Sequence, residues 1–347
     1  MVFSPALSVK GIYRVTSGRY RMAKVSRQKL FFFARLAITI AALVLLLRLV
    51  GWEQLAQLAR VADPKWLLLS YVAALGAMLM NSALLWQLLG HVGLDVKLTR
   101  VVLANSLSIL YTLVLPGDVL AGAAKWVDLS AATGDKVRVF SALVSAKISL
   151  ALAPLAIGSV ALAFENPFDT RAVPMVAIAA SVVLVIVAAL YVNARTGALI
   201  DQAVGALLRI LPGAIALRAQ AVSNAFAEYR TLGATNGVFV LFYSVAAFAL
   251  GVIAMAFAAM AVGADVPVEV FAWVNMILFI ARLFPLTISN LGIREGIMIA
   301  VLGLYGVGAA AAFAIGIVMF SFTLMIALVG SVYQISVAAG WIEWRGS

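Results

Sequence analysis

Among the charged side chains inside otherwise apolar stretches of the chain, six are candidates for chemistry: Asp118, Lys125, Lys147, Arg282, Arg294 and Glu295. A charge at bilayer depth costs roughly 2.5–3.5 kcal/mol on insertion scales, so each is expected to serve a site. Basic residues outnumber acidic ones among them, a balance that suits an anionic group such as a phosphate. The sharpest stretch is Ser289-Asn290-Leu291-Gly292-Ile293-Arg294-Glu295-Gly296. A helix starting near Asn290 or Gly292 aims unpaired N–H groups and a positive dipole end at the preceding turn, where anions bind. Arg294 adds a fork suited to phosphate. Glu295 complements the dipole or neutralises Arg294 or Arg282. Arg282, one turn before Pro285, either meets the same anion or pairs with Glu295. Asp118 follows Pro116-Gly117 and is placed to cap the returning helix. Lys125, about two turns later, shares its face or snorkels to the interface. Lys147 lies deep in an apolar run and is expected to face the bundle interior, paired with Asp118 or turned to a cavity. Asn105, Ser106, Ser108, Tyr111 and Thr112 form a polar face that either lines a path or bonds between helices.

Positioning these groups requires a membrane. The chain has 347 residues, 65% hydrophobic and 11% charged, with mean hydropathy +1.10. Soluble domains carry about 25% charged residues. Apolar runs of about 20 residues, without the short alternation of a barrel, predict an all-α polytopic membrane protein. With no cysteine and one histidine, His91, neither disulfides nor a Cys- or His-built metal site is expected, and no cofactor. The net charge of +11 is concentrated before Phe31, in a basic tail over residues 1–30 that holds the N-terminus in the cytoplasm. Anionic lipid is its secondary partner, and no folded basic domain suggests nucleic acid. The run from Phe31 to Val50 is too long for a signal peptide. Met1 and Met22 are alternative starts.

A single membrane domain is expected over 31–342, followed by a cytoplasmic tail, 343–347. Spans are read at Phe31–Val50, Trp66–Gly90, Val139–Phe164, Ala172–Val192, Thr235–Val262 and Ala309–Trp341, making about six full crossings. Residues Glu53 to Arg60 are expected to lie flat at the interface. Two segments fall short of a crossing. In the first, about 101–132, Pro116-Gly117 breaks the run, since Pro removes a donor and Gly admits a sharp turn. The second, about 270–304, breaks around Pro285. Both read as re-entrant helical hairpins, which membranes tolerate only where protein or a water-filled cavity covers the irregular backbone. Loop charges send the first in from the cytoplasm and the second from outside, an inverted-repeat-like arrangement of the kind that marks a transporter's binding site. No sequence identity between the halves is read. The polar segment 194–234 is expected to form cytoplasmic amphipathic helices at the seam.

Pro116-Gly117-Asp118 in one broken segment, and Pro285 followed by Asn290-Leu291-Gly292-Ile293-Arg294-Glu295-Gly296 in the other, resemble the flippase domain of lysylphosphatidylglycerol synthases. The resemblance covers roughly residues 30–340 and implies a lipid translocator whose two hairpins meet at mid-membrane. Family members often carry a basic residue soon after the first Pro-Gly turn, where this chain has Val119-Leu120-Ala121. The soluble aminoacyl-transferring domain is also missing, so a stand-alone member that moves a lipid made elsewhere is expected. The resulting expectation is a flippase, not an enzyme, in the bacterial cytoplasmic membrane with both termini inside. Its cargo is an anionic phospholipid or lipid-linked (polyprenyl-phosphate) saccharide. Arg294, Glu295, Asp118, Lys125, Lys147, Arg282 and Asn290 are its candidate substrate-binding residues. No Gly-x4-Gly-Lys-Ser/Thr loop occurs, so an ion gradient or downhill flow drives it. An accessory scaffold subunit and, more remotely, a membrane-embedded glycosyltransferase using Asp265 and Glu269 are the rivals. Homo-oligomerisation is left open.

Overall fold

The computed structural model describes Glu53, Arg60 and residues 62–114, 118–168, 171–179, 181–182, 234–283 and 290–339. Eight helices are named here: α1 Pro64–His91, α2 Leu98–Val114, α3 Asp118–Thr133, α4 Lys136–Phe164, α5 Ala234–Ala261, α6 Val268–Leu283, α7 Ile293–Gly303 and α8 Ala309–Ala338. A further helical stretch covers 172–179. Among the described residues, α1, α4, α5 and α8 are long and apolar enough to cross a membrane. The expected crossing at 31–50, most of that at 172–192, the segment 194–234 except its last residue, and both tails lie outside the described residues.

Local chemistry sets the boundaries. Asp63 caps α1 by accepting the Lys65 N–H at 2.8 Å, with Pro64 in the first turn, where a missing donor does no harm. The Thr133-Gly134-Asp135 corner between α3 and α4 uses Gly134 at φ +75°. Asp135 then accepts the N–H groups of Val137 and Arg138 at 3.0 and 2.9 Å. The short arms are limited to 17, 16, 16 and 11 residues. At 1.5 Å per residue the shortest spans about 16 Å, roughly half a hydrocarbon core.

The element order repeats: long helix, two short helices, long helix, then the same again. α1 and α5 end alike. Gly93 and Gly263 both have positive φ, and Leu94 N–H to Leu89 O (3.0 Å) has its twin in Ala264 N–H to Ala259 O (2.9 Å), the Schellman closure that left-handed glycine permits. The sequence at these ends repeats too: Val92-Gly93-Leu94-Asp95-Val96 and Val262-Gly263-Ala264-Asp265-Val266. The two halves thus share an element order and a turn sequence; the repeat-like arrangement was expected from hydropathy and loop charge, but this sequence match was not read.

Their mutual orientation is inverted. The Asp63 N–H donates to Ala261 O at 3.0 Å, whereas Gln87, near the other end of α1, donates to Asn236 at 3.0 Å. α1 and α5 thus run antiparallel along their length. Each half also sends its hairpin into the other. α2 packs on α8 and α6 packs on α4, and both approaches occur at a glycine: Gly330 against the Ser106 backbone, Gly158 against Met276 and Ala272. Small residues permit such close helix contact in membranes.

Two large apolar cores result among the described residues, beside two small clusters. One gathers Leu84, Leu85, Leu88, Val101, Leu129 and Val139 around the first hairpin. The other gathers Phe271, Trp273, Met298, Leu302, Ala161 and Ile315 around the second. Outside them, Leu328, Val332 and Ile335 of α8 are more than 60% exposed, a face suited to lipid.

Candidate functional site

The first hairpin is antiparallel, as shown by Ser108 Oγ donating to Ala121 O at 3.0 Å. Between its arms lies a polar chain. Lys125 Nζ donates to Asn105 Oδ1 at 2.7 Å, Asn105 Nδ2 to Ser82 Oγ at 2.7 Å, and Ser82 Oγ to Met78 O at 2.9 Å. Asn105 and Ser82 are buried and Lys125 is half-buried. Lys125 therefore holds its ammonium against the first arm, within the hairpin. Asp118 is the first residue of α3, one position inside the cap site expected for it; its side chain lies outside the described residues.

One turn beyond Lys125, Asp128 is 1% exposed. Arg100 forks onto it, Nη2 to Oδ1 at 3.1 Å and Nε to Oδ2 at 3.4 Å. Tyr333 OH from α8 donates to the same Oδ1 at 2.9 Å. Sequence reasoning missed this cluster. It began the first hairpin at about 101, just after Arg100, and passed over Asp128, although an acid one turn after Lys125 in a short apolar arm was a readable signal. Nothing local announced Tyr333.

At the second hairpin, Asn290 (φ +56°) and Gly292 (φ +85°) turn the chain into α7; Asn is among the few side chains that tolerate this region. Glu295 is fully buried. Its Oε2 accepts the Gly292 N–H at 2.7 Å, and its Oε1 accepts Arg294 Nε at 2.9 Å and a second, shorter bond from Arg294 Nη2. The anion held by this helix end and by Arg294 is thus the neighbouring carboxylate. Arg294 is 8% exposed, with its guanidinium 5.5 Å from the Phe320 ring centre, close enough for a cation–π contact. α8 passes at Gly316, where a Cβ would come within 3.0 Å of Glu295 Cγ.

Two expected placements differ. Lys147 is exposed, not enclosed in the bundle. Ala146, 5% exposed, takes the core position of that turn, and Lys147 turns outward with Ile148. Arg282, in the last turn of α6, is also exposed, and the carboxylate of Glu295 is bonded to Arg294. Pro116, Gly117, Pro285 and Ser289 lie outside the described residues. Among the described residues no group of His, Cys, Asp and Glu could hold a metal ion.

Residues 32–330 match the family model described as the lysylphosphatidylglycerol synthase TM region. The chain belongs to this family. Comparison with curated proteins and with solved structures gave no match. Membership fixes a membrane protein of a lipid-associated family, and the all-helical bundle agrees with it.

Proposed function

We propose that this protein translocates an anionic phospholipid or a polyprenyl-phosphate-linked saccharide across the bacterial cytoplasmic membrane, and that it is not an enzyme. The supporting observation is the pair of inverted halves, each lodging a short helical hairpin against the other half's last helix, with charged groups held inside both hairpins. In this reading the four described spans join apolar crossings at 31–50 and 172–192, and the hairpins enter from opposite sides. Headgroup charge is met by Lys125 and exposed Lys147 in the first half. Arg282 meets it in the second, with Asn290 at the turn, and Arg294 joins them when its pair with Glu295 opens. Acyl chains stay in lipid while the polar group passes between the hairpins. Asp118 or Glu295 carries any coupling to an ion gradient.

The test is headgroup movement in proteoliposomes, using fluorescent anionic and zwitterionic lipids. Lys125→Met is the informative variant, because Arg294→Ala would leave Glu295 buried without its cation. Wild type is expected to outpace empty vesicles for anionic lipid, and Lys125→Met to lose most of that difference. Equal rates in wild type and empty vesicles for phospholipids and for a polyprenyl-phosphate lipid would refute the reading.

A further inference from the structure

The two hairpins are docked by different chemistry. Counted from the start of α2 and α6, Arg100 and Val270 are equivalent. Counted back from the ends of α3 and α7, Asp128 and Met298 are equivalent. Tyr333 and Ala161 each lie one turn beyond the glycine at which their helix meets the opposing hairpin. The first member of every pair is polar and takes part in one hydrogen-bonded cluster. The second member of every pair belongs to one apolar core.

The difference extends along both seams. The α6–α4 seam lies within a core that includes Ala153, Ala161 and Leu162 of α4. Among the described residues, the core of the first hairpin includes no residue of α8. Two hydrogen bonds tie α8 to the first hairpin: Tyr333 OH to Asp128 of α3, and Gln334 Nε2 to Tyr111 OH of α2 at 2.8 Å. Parting an apolar seam exposes area at a cost proportional to that area. Parting hydrogen bonds exchanges them for bonds to water, with a small net change.

We propose that Arg100, Asp128 and Tyr333 form a latch, and that the α2–α8 seam opens while its pseudo-symmetric mate stays shut. The seam is then the lateral entry for a polar headgroup, a role that rests on the lipid-translocator reading. Arg100 stays with Asp128 on the hairpin, and the bond that breaks is the one from Tyr333.

The chain has no cysteine, so single introduced thiols report each seam separately. Ser106→Cys sits opposite Gly330, and Met276→Cys sits opposite Gly158. The full chain in detergent is labelled with a small water-soluble maleimide, and rates are compared with and without Tyr333→Phe. Loss of one hydrogen bond to a charged group is expected to raise the rate at position 106 about tenfold and to leave position 276 unchanged. Asp128→Asn repeats the test where folding is retained. An unchanged rate at 106, or equal increases at both positions, overturns the latch. Labelling needs no lipid, so a chain that opens on schedule yet moves no lipid refutes the translocator reading alone.

Discussion

Replacing Gly330 by alanine tests the way the halves interlock. A Cβ at this position would lie 2.7 Å from the carbonyl carbon of Ser106, nearer still to its oxygen, and 3.0 Å from the backbone nitrogen of Leu107. Carbon atoms in contact sit at about 3.5–4.0 Å, so α2 and α8 must part by about 1 Å at this crossing. The atoms struck belong to a helix backbone, which no rotamer change can relieve. Overpacking of this kind costs typically 1–3 kcal/mol. Alanine returns up to about 1 kcal/mol through better helix propensity. The net expectation is a loss of about 1–2 kcal/mol, read as a lower melting temperature by tryptophan fluorescence in detergent. Gly90→Ala supplies the control, because nothing lies within 4 Å of its new methyl and the propensity gain stands alone. Melting of Gly330→Ala at or above wild type would show that the helices do not meet at this glycine.

Glu295→Ala strands the Arg294 cation in a site only 8% exposed and is expected to cost about 3–5 kcal/mol, whereas Arg294→Met combined with Glu295→Met should cost less than the single change. Unfolding in increasing dodecyl sulfate ranks the two, and a milder single variant would contradict a buried pair. Asp63→Ala removes the carboxylate that accepts the Lys65 N–H and should weaken the start of α1 by about 1 kcal/mol. Faster amide exchange confined to the first turn of α1 is the expected signature, and unchanged exchange there would remove Asp63 as a cap.

Much of the fold could be read from residue spacing. Leu113-Val114-Leu115-Pro116-Gly117-Asp118 marked the first break because its run was too short to cross and ended in two helix-breaking residues; α2 ends at Val114 and α3 opens at Asp118. The repeat was also present, in Val92-Gly93-Leu94-Asp95-Val96 and its copy, but it occupies loops, where hydropathy comparison is blind. Elsewhere the described helices are chiefly apolar, a requirement that many sequences meet equally well. Inversion had to be inferred from loop charges, because antiparallel packing of α1 on α5 leaves no mark in either helix alone.

The candidate site was less legible because its partners are chosen by packing. A cation next to an anion in sequence says nothing about whether the two side chains meet. Arg294 and Glu295 do meet because left-handed Asn290 and Gly292 aim the start of α7 so that one carboxylate reaches both the Gly292 N–H and the guanidinium. Lys147 misled for the complementary reason. A helix deep in a bundle has an outward face, and only the position of Ala146 against the core decides that the next residue turns toward it. Tyr333 carries the point furthest. Its partner Asp128 belongs to the other half of the chain, and the contact exists only because Gly330, one turn earlier, lets α8 close on α2. Placement of the acid therefore depends on a glycine in the opposite half, so Gly330→Ala should disturb the Asp128–Tyr333 bond as well as the packing.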